Sequence, residues 1–552
     1  MPSPAPPPAP TLPPASVLPP EVPTPAKASD VESQSAFAPL KRPVFRMLWS
    51  TWLIANLCMW MNDVAAAWLM TSLTTSALWV ALVQTAATLP VFLLGIPSGA
   101  LADILDRRRY FLFTQLWVAA VALLLCAAVL SGRMTPPLLL ALIFFNGIGL
   151  AMRWPVFAAI TPELVPRGQL PAALALNGVS MNVSRIIGPI VAGALIASAG
   201  TQWVFVLNAA LSVVSAFIVF KWRRERVLSP LGREPLFSAM RVGMQFVAQS
   251  ARLRATLWRI GCLFFHSTAL MALLPLLARG MDGGAATFTV LLASMGAGAI
   301  FMVLFMPRLR QRLSRDNVVL IGAAVQSAMT VVVALTEHRM VAAPAMFVFG
   351  MAWIATANSL AVSAQMALPD WVRARGMSMY QMALMGSSAA GAAVWGQTAQ
   401  YSSLQLSLLI SAGSGVVMML LVQRLAQDRS VLEDLTPSSI GKVPKILEPV
   451  GSGHVIVTIE YLIDPARSND FRRLMRVSRR GRLRQGALSW DLLHDLNVPG
   501  RYVESIVDQS WIEHLRRFDR VTADDVAVRE RKLGFHIAEE PPVVTRYVVE
   551  PR

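Results

Sequence analysis

The chain has 552 residues, of which 55% are apolar and 15% charged, against about 25% charged in an ordinary soluble domain. With a mean hydropathy of +0.52, this excludes a soluble single-core globule and a mainly disordered chain. The three cysteines, Cys58, Cys126 and Cys262, lie in apolar runs and in no Cys-x-x-Cys pair, so neither a disulfide scaffold, a zinc site nor a redox motif is signalled.

Residues 1–36 are a Pro/Ala/Ser tract with almost no large apolar side chain. Such a tract cannot bury enough surface to offset ordering entropy, and disorder is expected. It lacks the apolar core of a secretory signal. From Arg46 to about Arg424 long apolar segments recur, each able to cross a hydrocarbon layer that needs about 20 helical residues. Twelve are read, at about 47–72, 77–101, 110–131, 136–158, 170–199, 201–221, 257–278, 284–306, 317–336, 341–365, 376–399 and 403–423. The fifth and sixth are separated by a very short turn.

The basic residues give an orientation. Links on one side hold Arg107, Arg108 and Arg109, then Arg167, then eight Lys and Arg between Lys221 and Arg254, then Arg308, Arg310, Arg312 and Arg315, then Arg373 and Arg375. The opposite links hold only Arg133, Arg279 and Arg339. The positive-inside rule then places both termini in the cytoplasm. It also absorbs much of the formal charge of +17, so no nucleic-acid partner is expected.

The longest internal link, 222–256, divides the spans into two sixes, 40–221 and 257–425. Its stretch Pro235–Arg254 is basic and partly amphipathic, as in a helix lying on anionic headgroups or a solvated connector. The halves look repeated. Pro162-Glu163-Leu164-Val165-Pro166-Arg167-Gly168 follows the fourth span, and Pro369-Asp370-Trp371-Val372-Arg373-Ala374-Arg375-Gly376 follows the tenth. A duplicated bundle suits alternating access around a site at mid-membrane. After a linker, 426–451, residues 452–552 become rich in charge. Val455–Ile463 reads as a strand, Asp464–Arg482 as a helix, and Leu488–Asp495 with Arg501–Val507 as a hairpin. Ser510–Asp519 reads as a helix with a capping box of Ser510 and Glu513, and Val543–Val549 as a last strand. The order βαββαβ predicts a ferredoxin-like domain. The expected fold is therefore an all-α polytopic membrane protein, twelve helices in a 6+6 pseudo-symmetric bundle, with a small α+β cytoplasmic domain.

Ionisable residues within a membrane are costly and mark function by default. Asp63 is the one carboxylate well inside a span, and it shares a helical face with Asn56 and Trp60. A carboxylate among apolar groups favours its neutral form, which makes Asp63 the candidate for coupling to a proton or recognising a cation; a structural pair with an arginine is the alternative. Arg185, on a face with Asn182, Pro189 and Gly178, is the clearest intramembrane cation, placed to pair with Asp63 or to meet an anionic substrate group. Asn56, Trp60, Asn182 and Arg185 are the expected substrate-binding residues of the first half, with Met271, Trp353, Asn358 and Gln381 looser candidates in the second. Arg153, on a face with Asn146 and Gly149 near the cytoplasmic end of the fourth span, reads either as a functional intramembrane cation or as a residue snorkelling to headgroups. His266 reads either as a titrating group or as a packing residue. Gly99, Asp103, Arg107 and Arg108 form a small-acidic-basic series after the second span, in which a carboxylate at a helix end and arginines beyond it make a charge latch between helices. The 27 methionines suit an adaptable apolar cavity as well as packing.

Gly99–Arg109 resembles the signature loop of the major facilitator superfamily, departing from it at Ile104 and Asp106, where a basic residue and a glycine are usual. Gly188-Pro189-Ile190-Val191-Ala192-Gly193 resembles the Gly-Pro motif of the fifth helix of superfamily exporters, with Ser184 in place of one usual glycine. The resemblance implies antiport and gating roles for Gly188 and Pro189. Ala66-Ala67-Trp68-Leu69, Leu174-Ala175-Leu176-Asn177 and Asn182–Pro189 are similar to the bacterial branch that includes the enterobactin exporter. That likeness implies an inner-membrane exporter of small molecules, siderophore- or drug-like, coupled to protons. Ser510-Trp511-Ile512-Glu513-His514-Leu515-Arg516 resembles an antibiotic-biosynthesis-monooxygenase-like module. A membrane-anchored enzyme is the alternative function, with His494, Trp511 and His514 as weak catalytic candidates. In a third reading the tail regulates transport or self-associates. No Walker motif is present, and no metal or cofactor is expected.

Overall fold

The computed structural model describes residues 37–166, 169–222, 236–281, 284–369, 371–425, 434 and 453–550. The Pro-rich tract 1–36, most of the linker 426–451, residues 223–235 of the inter-half link, Arg167, Gly168 and Asp370 lie outside them.

The first apolar runs fold as α1 (Pro43–Leu73), α2 (Ala77–Ile104), α3 (Arg107–Leu130), α4 (Pro136–Leu164), α5 (Leu170–Ser198) and α6 (Thr201–Lys221). Proline sits in the first turn of α1, α4 and α5, where its missing N–H leaves no helical bond unmade. The fifth and sixth runs are separate helices joined at Ala199 and Gly200, whose φ of 100° needs glycine. The second set is α8 (Ala251–Gly280), α9 (Gly284–Arg312), α10 (Arg315–Leu335), α11 (Arg339–Met366), α12 (Arg373–Tyr401) and α13 (Leu404–Leu425). Ser250 and Ser314 cap α8 and α10 by accepting from Leu253 N and Asn317 N. Eleven of these helices are long and apolar enough to cross a membrane. The expectation of twelve is met short of α12, whose 29 residues are diluted by Gln381, Ser387, Ser388 and Gln397. Outward-facing Leu124, Phe217 and Leu304 are more than half exposed, a surface suited to hydrocarbon and not to water.

The helix α7 (Leu236–Gln249) lies in the inter-half link. Its apolar residues Val242 and Phe246 are buried, and Phe246 meets Trp371 edge-on. Arg241 donates to the carbonyl of Gly486 and to Gln509 Oε1, and Gln245 to the carbonyl of Ala487. This corrects the reading of α7 as a headgroup or solvated helix: part of its polar face holds the C-terminal domain.

That domain contains β1 (Val455–Leu462), α14 (Ser468–Arg484), β2 (Ser489–His494), β3 (Arg501–Asp508), α15 (Trp511–Phe518), α16 (Ala523–Leu533) and β4 (Val544–Val548). Its antiparallel sheet runs β2-β3-β1-β4, with Val455 opposite both Asp508 and Val548. Phe471 and Met475 of α14 pack on Val457, Tyr461 and Ile506. The sequence reading missed α16. It also misplaced the capping box, because Ser510 does accept from Glu513 N, but the Glu513 carboxylate turns to Arg516 and Arg520. The reciprocal pair is Thr522 with Asp525, at the start of α16.

The cores are distributed unevenly along the bundle. At the end away from the arginine-rich links, one cluster joins Met61, Met70, Leu125 and Phe205 of the first set to Leu270, Leu274, Phe288 and Phe349 of the second. At the basic end the clusters separate. Trp52, Phe111, Phe157 and Trp222 pack within the first set, and Phe246, Ile260, Tyr380 and Met419 within the second and α7.

Candidate functional site

Close helix contacts, one within the first set and one between the sets, depend on residues without side chains. A Cβ on Gly188 of α5 would lie 2.6 Å from Trp60 Cβ and 3.3 Å from the Leu57 carbonyl of α1, so glycine sets that helix spacing. A Cβ on Gly193 would lie 2.3–2.7 Å from three Thr289 side-chain atoms on α9. Pro189 between them is buried. At the end away from the arginines, Ser76 Oγ donates to Gln400 Oε1 at 2.7 Å, Trp68 stacks on Phe288, and Arg279 donates to the carbonyl of Thr71.

Arg185 connects the two sets near mid-bundle. Its guanidinium bonds Asn182 Oδ1 and lies over the ring of Trp353 on α11, 4.4 Å from the centroid, a cation–π geometry. The looser candidate Trp353 thus joins the N-half candidates Asn182 and Arg185. Asn182 also donates to the carbonyl of Gly178, and a Cβ on Gly178 would meet nothing within 4 Å.

Asp63 is half-buried in α1 and forms no hydrogen bond or ion pair among the described residues. The expected pair with Arg185 is therefore absent there, because Arg185 is taken by Asn182 and Trp353. Asn56 is fully buried, its Nδ2 donating to the Trp52 carbonyl at 2.9 Å. Trp60 is half-buried, and its indole N–H has no acceptor among the described residues. Met271 packs on the shared core; Asn358 and Gln381 are half-buried.

Around the signature loop, a Cβ on Gly99 would meet Pro155 Cβ at 4.0 Å and nothing nearer. The Asp103 side chain lies outside the described residues. Asp106, where the loop departs from its usual pattern, caps α3 by accepting from Arg108 N and Arg109 N at 3.0 and 3.1 Å. Arg107 opens that helix. Arg108 donates to the Phe220 carbonyl at the end of α6, so this arginine ties α3 to α6.

Two buried polar cavities, each of about 20 Å³, lie one within each set. In the first, Arg153 is 2% exposed, which overturns its reading as a snorkelling residue. It donates to the Ala55 carbonyl and its guanidinium lies over Trp52. The second contains His266, whose Nδ1 is 2.7 Å from the Cys262 carbonyl and so donates to it. Sequence reasoning missed a further cation in the spans: Arg259, 8% exposed, pairs with Asp316 across α8 and α10 at 2.8 Å. The partners are 57 residues apart, beyond any local pattern.

In the tail each of the weak catalytic candidates packs on a neighbouring side chain. His514 is 1% exposed and held by Asp508 at 2.7 Å. Burial pushes its imidazole below the usual range. His494 stacks on Tyr502, and Trp511 on His514. Glu504, fully buried, accepts from Lys532 Nζ, Trp490 Nε1, Ser478 Oγ and Tyr461 Oη.

Residues 34–552 match a family model described as transmembrane secretion effector. YfiS of Bacillus subtilis, an uncharacterized MFS-type transporter, is 27% identical over 219 residues, 38% of this chain and 51% of its own length. MdtD of Salmonella typhi, a putative multidrug resistance protein, is 29% identical over 178 residues, 31% of this chain and 37% of its own. The chain thus spans about half, or less, of the length of these curated relatives. Among solved structures, a variant of the nucleoside transporter NupG aligns with a TM-score of 0.58 at 14% identity, over 70% of this chain and 100% of its own. A bacterial homologue of the lysosomal transporter Spinster, inward-facing and unoccupied, aligns with a TM-score of 0.52 at 16% identity, over 69% and 95%. A POT family transporter in complex with 5-aminolevulinic acid aligns at 0.55 and 12% identity, over 68% and 96%. These structures establish likeness of fold.

Proposed function

The chain belongs to the transmembrane secretion effector family of MFS-type transporters, and from that premise we propose that it exports small molecules, siderophore- or drug-like, in exchange for protons. It is a transporter by family and fold, and no enzymatic role is assigned to it. In this reading α12 also crosses the membrane and completes twelve spans, α1–α6 and α8–α13 are two pseudo-symmetric halves, and the arginine-rich links face the cytoplasm of a bacterial inner membrane. The core shared at the opposite end then closes the outer side, and the halves part only beyond the seam of α2 and α12, where a Cβ on Gly95 would lie 3.0 Å from Met382 Cγ, which favours an inward-facing state of an alternating-access cycle.

The observation that carries the coupling proposal is Asp63, half-buried inside a span and without a partner among the described residues. A carboxylate so placed breaks no hydrogen bond or ion pair to the described residues when it gains or loses its proton, and its position inside a span marks it for function. Asn182, Arg185, Trp353 and Trp60 are the proposed substrate contacts, and the resemblance of MdtD to this chain favours drug-like cargo. The test uses inside-out vesicles with an imposed pH gradient and a panel of siderophores and dyes. One proton exchanged per neutral substrate gives about tenfold accumulation per pH unit, since each unit is worth about 1.4 kcal/mol. Asp63→Asn is expected to abolish gradient-driven accumulation. Equal accumulation by the variant would remove Asp63 from the mechanism.

A regulatory role for the tail, read as a ferredoxin-like, monooxygenase-like module, is favoured by where it docks. Its contacts fall on α7, which joins the halves, and on Trp371 in the link before α12, over which Arg520 lies at 5.4 Å.

A further inference from the structure

We propose that the cavity between α1, α3, α4 and α6 is a binding site for a small monovalent anion, chloride in the cell, which serves as the counter-ion of Arg153. Arg153 is the starting point. Its Nε and Nη2 are buried with no protein acceptor, and its single hydrogen bond to a carbonyl leaves the positive charge unbalanced. A buried cation without a carboxylate or other anion is among the most costly arrangements a protein interior can hold. No Asp or Glu lines the cavity among the described residues.

The other polar groups of the lining complete the site. Asn62 Nδ2, Gln115 Nε2 and Ser215 Oγ are all buried without a protein partner, and their residues are 2%, 2% and 1% exposed. Asn62 already spends its acceptor, because Asn208 Nδ2 donates to Asn62 Oδ1 at 3.2 Å. Cys58, Asn146, Asn208 and Ser212 also line the cavity, and its buried groups left without a protein partner are four N–H donors and one hydroxyl that can turn its hydrogen inward. Donors converging beside a guanidinium bind an anion through charge-assisted hydrogen bonds. The volume of about 20 Å³ admits one or two waters or one halide, and excludes a drug-sized solute.

The corresponding cavity of the other half differs in the relevant way. It has a similar volume and lies between α8, α10 and α13, but its lining carries no Arg or Lys. Its Gln326 Nε2 is satisfied by the Gly322 carbonyl and Thr356 Oγ1, and His266 Nδ1 by a carbonyl. The anion site therefore belongs to the first half alone, and the second cavity is its internal control.

The test measures thermal unfolding of the full-length protein across a titration of chloride against gluconate at constant ionic strength, with bromide in parallel. The expected result is a saturating rise in Tm of about 2–4 °C in chloride and bromide, absent in gluconate. Gln115→Glu supplies a carboxylate inside the cavity and is expected to make Tm independent of chloride. Arg153→Met removes the cation and is expected to do the same, which keeps the test decisive should either variant fail to fold. In crystals grown in bromide, an anomalous peak is expected among Asn62, Gln115 and Arg153, and none beside His266. Equal Tm in chloride and gluconate, or a chloride response that survives both substitutions, would overturn the proposal and leave the cavity to water.

Discussion

The contact between Gly193 and Thr289 predicts how to bias the transport cycle. A Cβ at 193 would lie 2.3 Å from Thr289 Oγ1 and 2.7 Å from Thr289 Cβ. Rotating the threonine side chain does not relieve this, because its Cβ is fixed to the α9 backbone and its Oγ1 is bonded to the Ala285 carbonyl at 2.8 Å. Restoring an ordinary carbon–carbon separation of about 3.5–4.0 Å moves α5 from α9 by about 1 Å. Overpacking of this kind costs about 1–3 kcal/mol, and the cost falls only on the conformation in which these ends touch. Gly193→Ala should therefore shift the equilibrium about 5- to 150-fold toward the state in which they part. Spin labels at the exposed Thr75 and Ser402, in a background without native cysteines, read that separation by double electron–electron resonance. A longer-distance population is expected in Gly193→Ala and not in Gly178→Ala, since a Cβ at 178 meets nothing. Adding Thr289→Gly to Gly193→Ala should return the short distance. An unchanged distribution in a folded Gly193→Ala protein would refute the argument.

The tail carries further predictions. Burial opposes the charge of Glu504, yet Lys532 and Arg482 hold its carboxyl down to about 2. Its folded value is thus depressed below an ordinary 4.5, so its contribution to stability is complete above about pH 4.5 and is lost as pH falls toward 2. Hydrogen exchange over β1 and β3 in the full chain should show that acid loss, and Glu504→Gln, which strands a buried Lys532, should cost about 3–5 kcal/mol at neutral pH. Unaltered protection in the variant would mean that the buried cluster is not what holds the sheet to α16. Arg241→Ala combined with Gln245→Ala removes three side-chain bonds from α7 to the tail. Exchange should rise at 485–487 and 509 while the sheet stays protected; unchanged exchange there would show that the docking relies on other contacts.

The helices were legible because the bilayer demands about 20 apolar residues per span, a signal strong enough to survive even the two-residue turn at Ala199 and Gly200. Strand alternation revealed the tail's sheet, whereas α16 escaped because Ala523–Leu533 is almost wholly polar on one face and offers little apolar period. The candidate site was legible residue by residue and not as an arrangement. Asp63 and Arg185 stand out as charges in apolar runs, but whether they pair depends on Trp353, 168 residues beyond Arg185 in the chain. Gly188 could be read as a close-packing position from its motif. That Trp60 is its neighbour follows only from how α5 crosses α1. Asp106 looked like a defect in the signature loop, and its compensation is local: an aspartate two residues before Arg108 is a helix cap.

The distribution of charge bears on how a two-halved transporter divides its work. Asp63, Arg153 and Arg185 all lie in α1–α6. Among the described span residues of α8–α13, the buried cation Arg259 is neutralised by Asp316 at the basic end. Isolated charge inside a membrane is retained where it does something and paired where it does not. If the halves rock as proposed, a coupling carboxylate needs to sit in one of them only, because the motion itself alternates which side it faces. The other half then contributes shape: Trp353 receives the Arg185 guanidinium and Thr289 fills the notch at Gly193. On the proposed coupling, transferring a carboxylate to the second half would add a charge without a role, and Asp63→Asn is the variant expected to stop the cycle.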